Sequence, residues 1–289
     1  MLVESFLTRH AERTGPIVIK TSTAKKRERN HEPDDRILES IFGAVRERYP
    51  DRELLLADGP AFAADFIDIA EHHRWTELAE RHHATVVDLN TEPAKPMLDG
   101  NVFVATLCAE AAFTISVGKA KTHRRTGISG AEKASIDYLS GSEMGYPKLE
   151  RRHYLLPAIY RAIQAIAAPT LHIVDGINAI EGNGPMNGRP TDSEFILVGE
   201  DPVAIDIQLS RIFSFDPALV ISLFHSLEPA PVATTLLTTE RSRETMRRFP
   251  VKPPKEQPWL YRSLRKQGSR RNRRNFAKIQ KAFADVHHS

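Results

Sequence analysis

The chain has 289 residues, 41% hydrophobic and 27% charged, enough apolar material for one large α/β domain or two modest ones. No stretch reaches the roughly 18 consecutive apolar residues of a membrane span, and residues 1–10 lack the basic start and apolar run of a secretory signal, so a cytoplasmic protein with no membrane partner is expected. A single cysteine, Cys108, excludes an intramolecular disulfide and falls short of the roughly four thiolates of an iron–sulfur cluster, so no such cluster is expected.

In chain order, residues 16–20 (Pro-Ile-Val-Ile-Lys) read as a first strand. Asp34 suits a helix N-cap, with Ile37, Leu38, Ile41, Phe42 and Val45 following at helical spacing. Residues 53–57 form a second strand, closed by Asp58, Gly59 and Pro60. A helix over residues 63–82 offers Phe66, Ile69, Trp75 and Leu78 for packing, and residues 85–89 make a third strand. Cys108 ends the apolar run 102–108 and reads as a buried structural thiol.

Residues 113–117 form another strand, opening into a polar loop over 118–130. A helix over 154–167 carries Leu155, Leu156, Ile159, Tyr160 and Ile163 on one side, and residues 170–174 and 195–198 read as buried strands around a second loop, 175–190. Asp201-Pro202 starts a helix that runs to Phe213, because Asp caps free amides and Pro suits the first helical position. This alternation predicts an α/β fold over residues 1–240: a mostly parallel or mixed sheet flanked by helices. Residues 241–289 read as a Pro-rich linker and a basic C-terminal tail. The formal net charge is +3, but residues 262–284 hold nine Lys or Arg and no Asp or Glu, which leaves about −6 for the rest.

Ligands of open parallel sheets sit outside the carboxyl ends of the strands, so the loops at 58–60, 118–130 and 175–190 have a topological reason to converge. The second of these gathers Lys119, Lys121, His123, Arg124, Arg125 and Ser129 with Gly127 and Gly130, and Lys133 follows at a helix start. Cations and backbone amides at a helix N-terminus suit a phosphate or carboxylate. The spacing is not that of a Walker loop, and a solvated basic loop is the competing reading. In the third loop, Gly182, Gly184 and Gly188 miss the dinucleotide spacing. Asp175 and Glu181 there can accept hydrogen bonds, bind a cation or act as a general base, with Asn183 between the glycines. A turn-rich loop with one buried Asp would look the same. Asp206, inside a predicted helix beside Ile205 and Ile207, either faces the site or is structural. The histidines, His153 and His172 among them, show no zinc spacing.

The segment 115–133, with its Lys-Thr-His at 121–123, Thr126-Gly127, Gly130 and Lys133, resembles the domain-of-unknown-function 362 family. So does Ile173-Val-Asp-Gly-Ile-Asn-Ala-Ile-Glu-Gly-Asn-Gly-Pro185, followed by Gly188 and then Asp201-Pro-Val-Ala-Ile-Asp206. The resemblance covers about residues 15–215. It departs where many relatives carry a Cys-rich ferredoxin segment, absent here, and where Ala134 stands in place of a common Asn. Residues 123–133 are also similar to a loop of lactate-racemase-like nickel-pincer enzymes, in which the histidine works near the metal and the lysine tethers the pincer nucleotide; His123 and Lys133 occupy those positions.

The leading expectation is an enzyme acting on a small anion, a carboxylate or phosphate. Lys119, Lys121 and Arg125 would hold the anion beside Ser129, Gly130, Gly182, Asn183, Gly184 and Asp206. His123 would serve as acid–base and Lys133 as a cofactor contact, with Asp175 and Glu181 completing the catalytic set. The analogy suggests isomerase or redox chemistry on a 2-hydroxy acid. The cofactor is open between a divalent metal and a nucleotide-derived group. The competing expectation is an accessory or nucleic-acid-binding protein whose tail, residues 262–281, binds polyanions by counterion release.

Overall fold

The runs Ile17–Lys20 (β1) and Leu54–Asp58 (β2) are buried along their whole length, as strands must be when helices cover both faces of a parallel sheet. A computed structural model describes residues 2–23, 32–60, 66–97, 102–123, 126–139, 156–185, 187–215, 217, 220 and 235–238. In it, β1 and β2 pair in parallel, with β3 (Thr85–Asp88) beyond β2. On the other side of β1 lie β6 (Phe113–His123) and then β8 (Thr170–Asn183), both parallel. The sheet ends in β9 (Asn187–Gly199) and β10 (Thr235–Thr238), both added antiparallel. A separate two-stranded ribbon joins β4 (Ala94–Met97) to β5 (Val102–Ala105). The expected mixed sheet flanked by helices is the fold observed.

Strand alternation sorts the core onto two faces. Ile17, Ile19, Leu54, Leu56, Phe113, Ile115 and Val117 point to one side. There they meet α1 (Leu2–Arg9) through Phe6 and α2 (Asp35–Arg48) through Ile37, Leu38, Phe42 and Val45. Each of these side chains contributes roughly 1.5–3 kcal/mol by leaving water. Val18, Leu55 and Ala57 point the other way, toward α5 (Leu107–Glu110) and toward Ile159, Tyr160 and Ile163 of α7 (Leu156–Ile166). A third cluster packs Val174, Ala179 and Leu197 under Ile205 and Leu209 of α8 (Pro202–Ile212). Asp201 caps α8 by accepting from the amides of Val203 and Ala204. Cys108 is buried, and burial pushes its thiol up to about 12, so it is protonated at neutral pH.

Three expected elements differ. The helix over residues 63–82 is two helices, α3 (Phe66–His72) and α4 (Trp75–Arg81), because Arg74 takes a left-handed φ of 55° and turns Trp75 back into the core. Residues 118–130 are not a loop: β6 runs on to His123, and β7 (Gly127–Ser129) folds back on it antiparallel. Residues 175–190 are likewise a hairpin of β8 and β9, closed at the cis Gly184-Pro185 bond. In both places polar, glycine-rich composition imitates a loop while neighbouring strands satisfy the backbone. The tail beyond residue 240, residues 262–281 included, lies outside the described residues, as do Arg124, Arg125 and His153. Among the described residues no helix is long and apolar enough to cross a membrane.

His172 lies on the α7 side of β8 beside Ser116 of β6, at a cavity of about 420 Å³. Burial, reinforced by the charge of Lys20, drives its imidazole down to about 3. Between pH 6.5 and about 3 the unfolded chain therefore binds a proton that the folded chain excludes, and stability falls as the solution is acidified across that window. At about 1.4 kcal/mol per pH unit the loss reaches several kcal/mol. Denaturant titrations from pH 7 to pH 4 should show this acid limb, and His172→Phe should flatten it; an equally steep limb in the variant contradicts a buried neutral imidazole.

Candidate functional site

Because β1, β2, β6 and β8 run in parallel, their carboxyl ends reach one rim, where a ligand of an open α/β sheet is bound. The residues at that rim are lysines and carboxylates, and most are buried. Lys119, on β6, donates to Asp175 Oδ2, on β8, at 2.8 Å, with the two side chains 3% and 0% exposed. Asp175 Oδ2 also accepts the Asp34 amide at 2.8 Å, and Oδ1 accepts the Ile177 amide at 2.8 Å. Asp34 in turn caps α2 by accepting the Arg36 amide. The Arg36 guanidinium hydrogen-bonded to Asp34 holds that carboxyl below its ordinary range. One carboxylate thus ties together β6, β8 and the entrance to α2.

A second knot lies at the end of β1. Lys20, fully buried, donates to Asp137 Oδ2 at 2.8 Å and to the carbonyl of Ala134. Asp137 belongs to the 3-10 turn Ile136–Tyr138, which follows α6 (Ala131–Ser135). Asp58, closing β2, accepts from the Thr23 amide and hydroxyl and from the Gly59 amide. Burial, then the negative charge of Asp137, keeps its carboxyl well above the usual range.

Lys121 sits between these knots. It is 4% exposed, and burial lowers its amine from the ordinary lysine value, with the charges of Lys119 and Lys133 acting the same way and those of Glu32 and Asp137 opposing. Lys133 is half-buried on α6. The start of α6 is set by Asp206, whose oxygens accept the amides of Ala131 and Glu132 at 2.7 and 3.1 Å. A Cβ on Gly130 would stand 2.1 Å from Asp206 Oδ1, so only glycine allows that approach. Burial raises the Asp206 carboxyl to about 7.

The cationic and acidic segments expected to converge do run side by side, since Lys119 is paired with Asp175 and Lys121 with Ile180 across β6 and β8. The structure also gives the individual residues specific contacts. Asp206 gives both oxygens to helix amides, which fixes the start of α6. Glu181 accepts from Arg189 across the hairpin at 2.7 Å. The glycines around Asn183 dock the hairpin on β6: Gly182 O accepts from Thr122 Oγ1 at 2.9 Å, and a Cβ on Gly184 would meet the Thr122 carbonyl at 2.0 Å. His123 lies four residues past Lys119, roughly 13 Å along an extended strand, so it is not in the Lys119–Asp175 knot. Its Nδ1 accepts from the Thr126 amide at 3.1 Å, which leaves the proton of the neutral ring on Nε2. Ser129 of β7 pairs with Lys121 of β6, and Arg125 lies outside the described residues.

The sequence reading missed Glu32 and Asp137 altogether, and it did not bring Lys20 and Asp58 into the catalytic set. The available signal was their place at or just beyond strand ends, since Lys20 and Asp58 each terminate an otherwise apolar run. Among the described residues, no group of at least three His, Cys, Asp or Glu side chains is arranged to hold a metal ion. The nickel-pincer resemblance supplies His123 and Lys133, and the described residues do not supply the rest of a metal-binding set.

Three comparisons with known proteins found the following likenesses. The family model described as "Domain of unknown function (DUF362)" matches residues 17–211, which contain every rim residue named above. A thylakoid-associated protein, sll1697, of Synechocystis sp. is 26% identical over 175 residues, covering 57% of this chain and 52% of that protein. The chain thus spans about half the length of this curated relative. The lactate racemase apoprotein of Thermoanaerobacterium thermosaccharolyticum superposes with a TM-score of 0.40 at 16% identity, covering 58% of this chain and 44% of the other. A Thermotoga maritima protein gives a TM-score of 0.43 at 12% identity, covering 72% and 56%.

Asp206→Ala leaves two buried amides of α6 without an acceptor, and unfolding in denaturant should show a loss of about 2 kcal/mol. Asp206→Asn, which keeps one acceptor oxygen, should lose less. Unchanged stability in the alanine variant would mean that the helix start is held by something else.

Proposed function

This chain belongs to the DUF362 family, and on that premise we propose that it is an enzyme whose rim binds a small anion, a carboxylate or phosphate, between the end of β6 and the start of α6. The observation that carries the reading is the state of the lysines. Lys20 and Lys119 are neutralised by Asp137 and Asp175. Among the described residues no carboxylate is hydrogen-bonded to Lys121 or Lys133, and burial, more than any neighbouring charge, disfavours the charged form of Lys121. A buried cation is costly in a water-poor rim, and an anion bound beside it offsets that cost.

In this reading Lys121 and Lys133 bind the anion, while Lys119 and Asp175 hold the strands that present them. His123, with its Nε2 proton, is the acid–base candidate further along β6. Glu181 flanks the hairpin. Arg125, outside the described residues, stays in the proposal as a further cation for the anion. The cofactor stays open between a divalent metal and a nucleotide-derived group, and Lys133 is the residue nearest to such a group by resemblance. Isomerase or redox chemistry on a 2-hydroxy acid in a cytoplasmic setting is part of the same proposal.

The test is isothermal titration of the full chain with lactate, citrate and inorganic phosphate. At least one should bind, and Lys121→Ala or Lys133→Ala should weaken it by roughly tenfold or more, the equivalent of about 1.4 kcal/mol. Circular dichroism would verify that the variants fold. Binding left unchanged in both variants, or no binding of any of these anions by the wild type, contradicts the proposal.

A further inference from the structure

The cavity of about 420 Å³ between α7 and the sheet takes no part in the anion site, and we infer that it is a second binding site, for a small uncharged molecule that presents an amide edge. Ser116 of β6 and His172 of β8 are register partners, and both line it. They stand three residues before Lys119 and Asp175 on the same two strands. Strand alternation therefore turns their side chains to the opposite face of the sheet from that ion pair. The volume falls within the roughly 300–1,000 Å³ of small-molecule sites.

Unmet hydrogen bonding marks this cavity as a site. Ser116 Oγ and His172 Nδ1 are buried, and neither has a hydrogen-bond partner among the described residues. Buried polar groups in folded proteins are nearly always paired, so two unpaired ones at facing positions of adjacent strands call for a partner from outside the chain. The serine hydroxyl can donate and accept, and a neutral imidazole nitrogen does one or the other. An amide edge, with its carbonyl and N–H side by side, meets both groups at once. The ligand is uncharged because the lining offers no free charge to match. Burial keeps the imidazole neutral at working pH. Glu200 is paired with Arg9, and Asp201 is committed to capping α8. Ile163, Ala167, Pro169 and Pro202 supply apolar wall for the body that carries the amide.

The experiment titrates the full chain with benzamide, a primary carboxamide, and with uracil, a ring amide, and reads binding by saturation-transfer NMR. Each has a control without the N–H: acetophenone for the first and dimethyluracil for the second. At least one amide should bind, and which one does separates an open-chain carboxamide from a nucleobase-type ring. Its control should bind weaker by roughly tenfold or more. Ser116→Ala removes an unpaired hydroxyl and leaves no new group unpaired, so the fold should persist while amide binding weakens by roughly tenfold. Ala167→Phe, which fills the cavity from its wall, should abolish binding. If neither variant folds, a wild-type crystal soaked with the bound amide decides by position. The proposal is overturned if neither amide binds, if the controls bind as tightly, if either variant leaves binding unchanged, or if the soaked amide lies outside the cavity. None of these results touches the anion site, which its own titration tests.

Discussion

The arrangement of the rim depends on the buried ion pair between Lys119 and Asp175. Two charges placed out of water inside a sheet are stabilising only when each is matched, because desolvation costs several kcal/mol per ion. Here the match is complete on the acidic side: Asp175 accepts from the lysine and from the amides of Asp34 and Ile177. The same contacts fix the register of β6 against β8 and anchor the entrance of α2. Remove the carboxylate, and a buried ammonium, a strand pairing and a helix start lose their partner together.

From this junction the remaining chemistry follows by position. Lys119 and Lys20 are each paired with a carboxylate, whereas burial disfavours the charged form of Lys121. Lys121 belongs to the strand that the ion pair holds, and Lys133 to a helix whose first turn is fixed by Asp206. On the proposed reading, an anion bound at these two positions would offset the cost of a buried cation.

Much of the fold was legible in the sequence because apolar runs of β-rich residues and well-spaced helical faces are unambiguous. Asp34 and Asp201 announced the helices they cap, and Ile17, Leu54 and Phe113 begin strands close to where they were expected. The shared rim was legible too, since the ends of parallel strands lie on one edge of the sheet. What was not legible is which charges neutralise which. Lys119 and Lys121 are two residues apart in a similar composition, yet one is bound to a carboxylate 56 residues away and the other is not. Asp206 gave no local sign that it would cap a helix 74 residues earlier in the chain. The hairpin at residues 175–190 was read as a loop because glycine serves close approach to Thr122 there, which no pattern of spacing reveals.

A double-mutant cycle across the central pair tests this account most directly. Stability to urea would be measured for the wild type, Lys119→Met, Asp175→Asn and the double variant. The account predicts that each single change is strongly destabilising, by about 3 kcal/mol or more, and that the double variant is far less damaged than their sum, with a coupling of about 2–3 kcal/mol. Strictly additive losses would mean that the two side chains do not depend on each other, and the rim as described here would not be held by that pair.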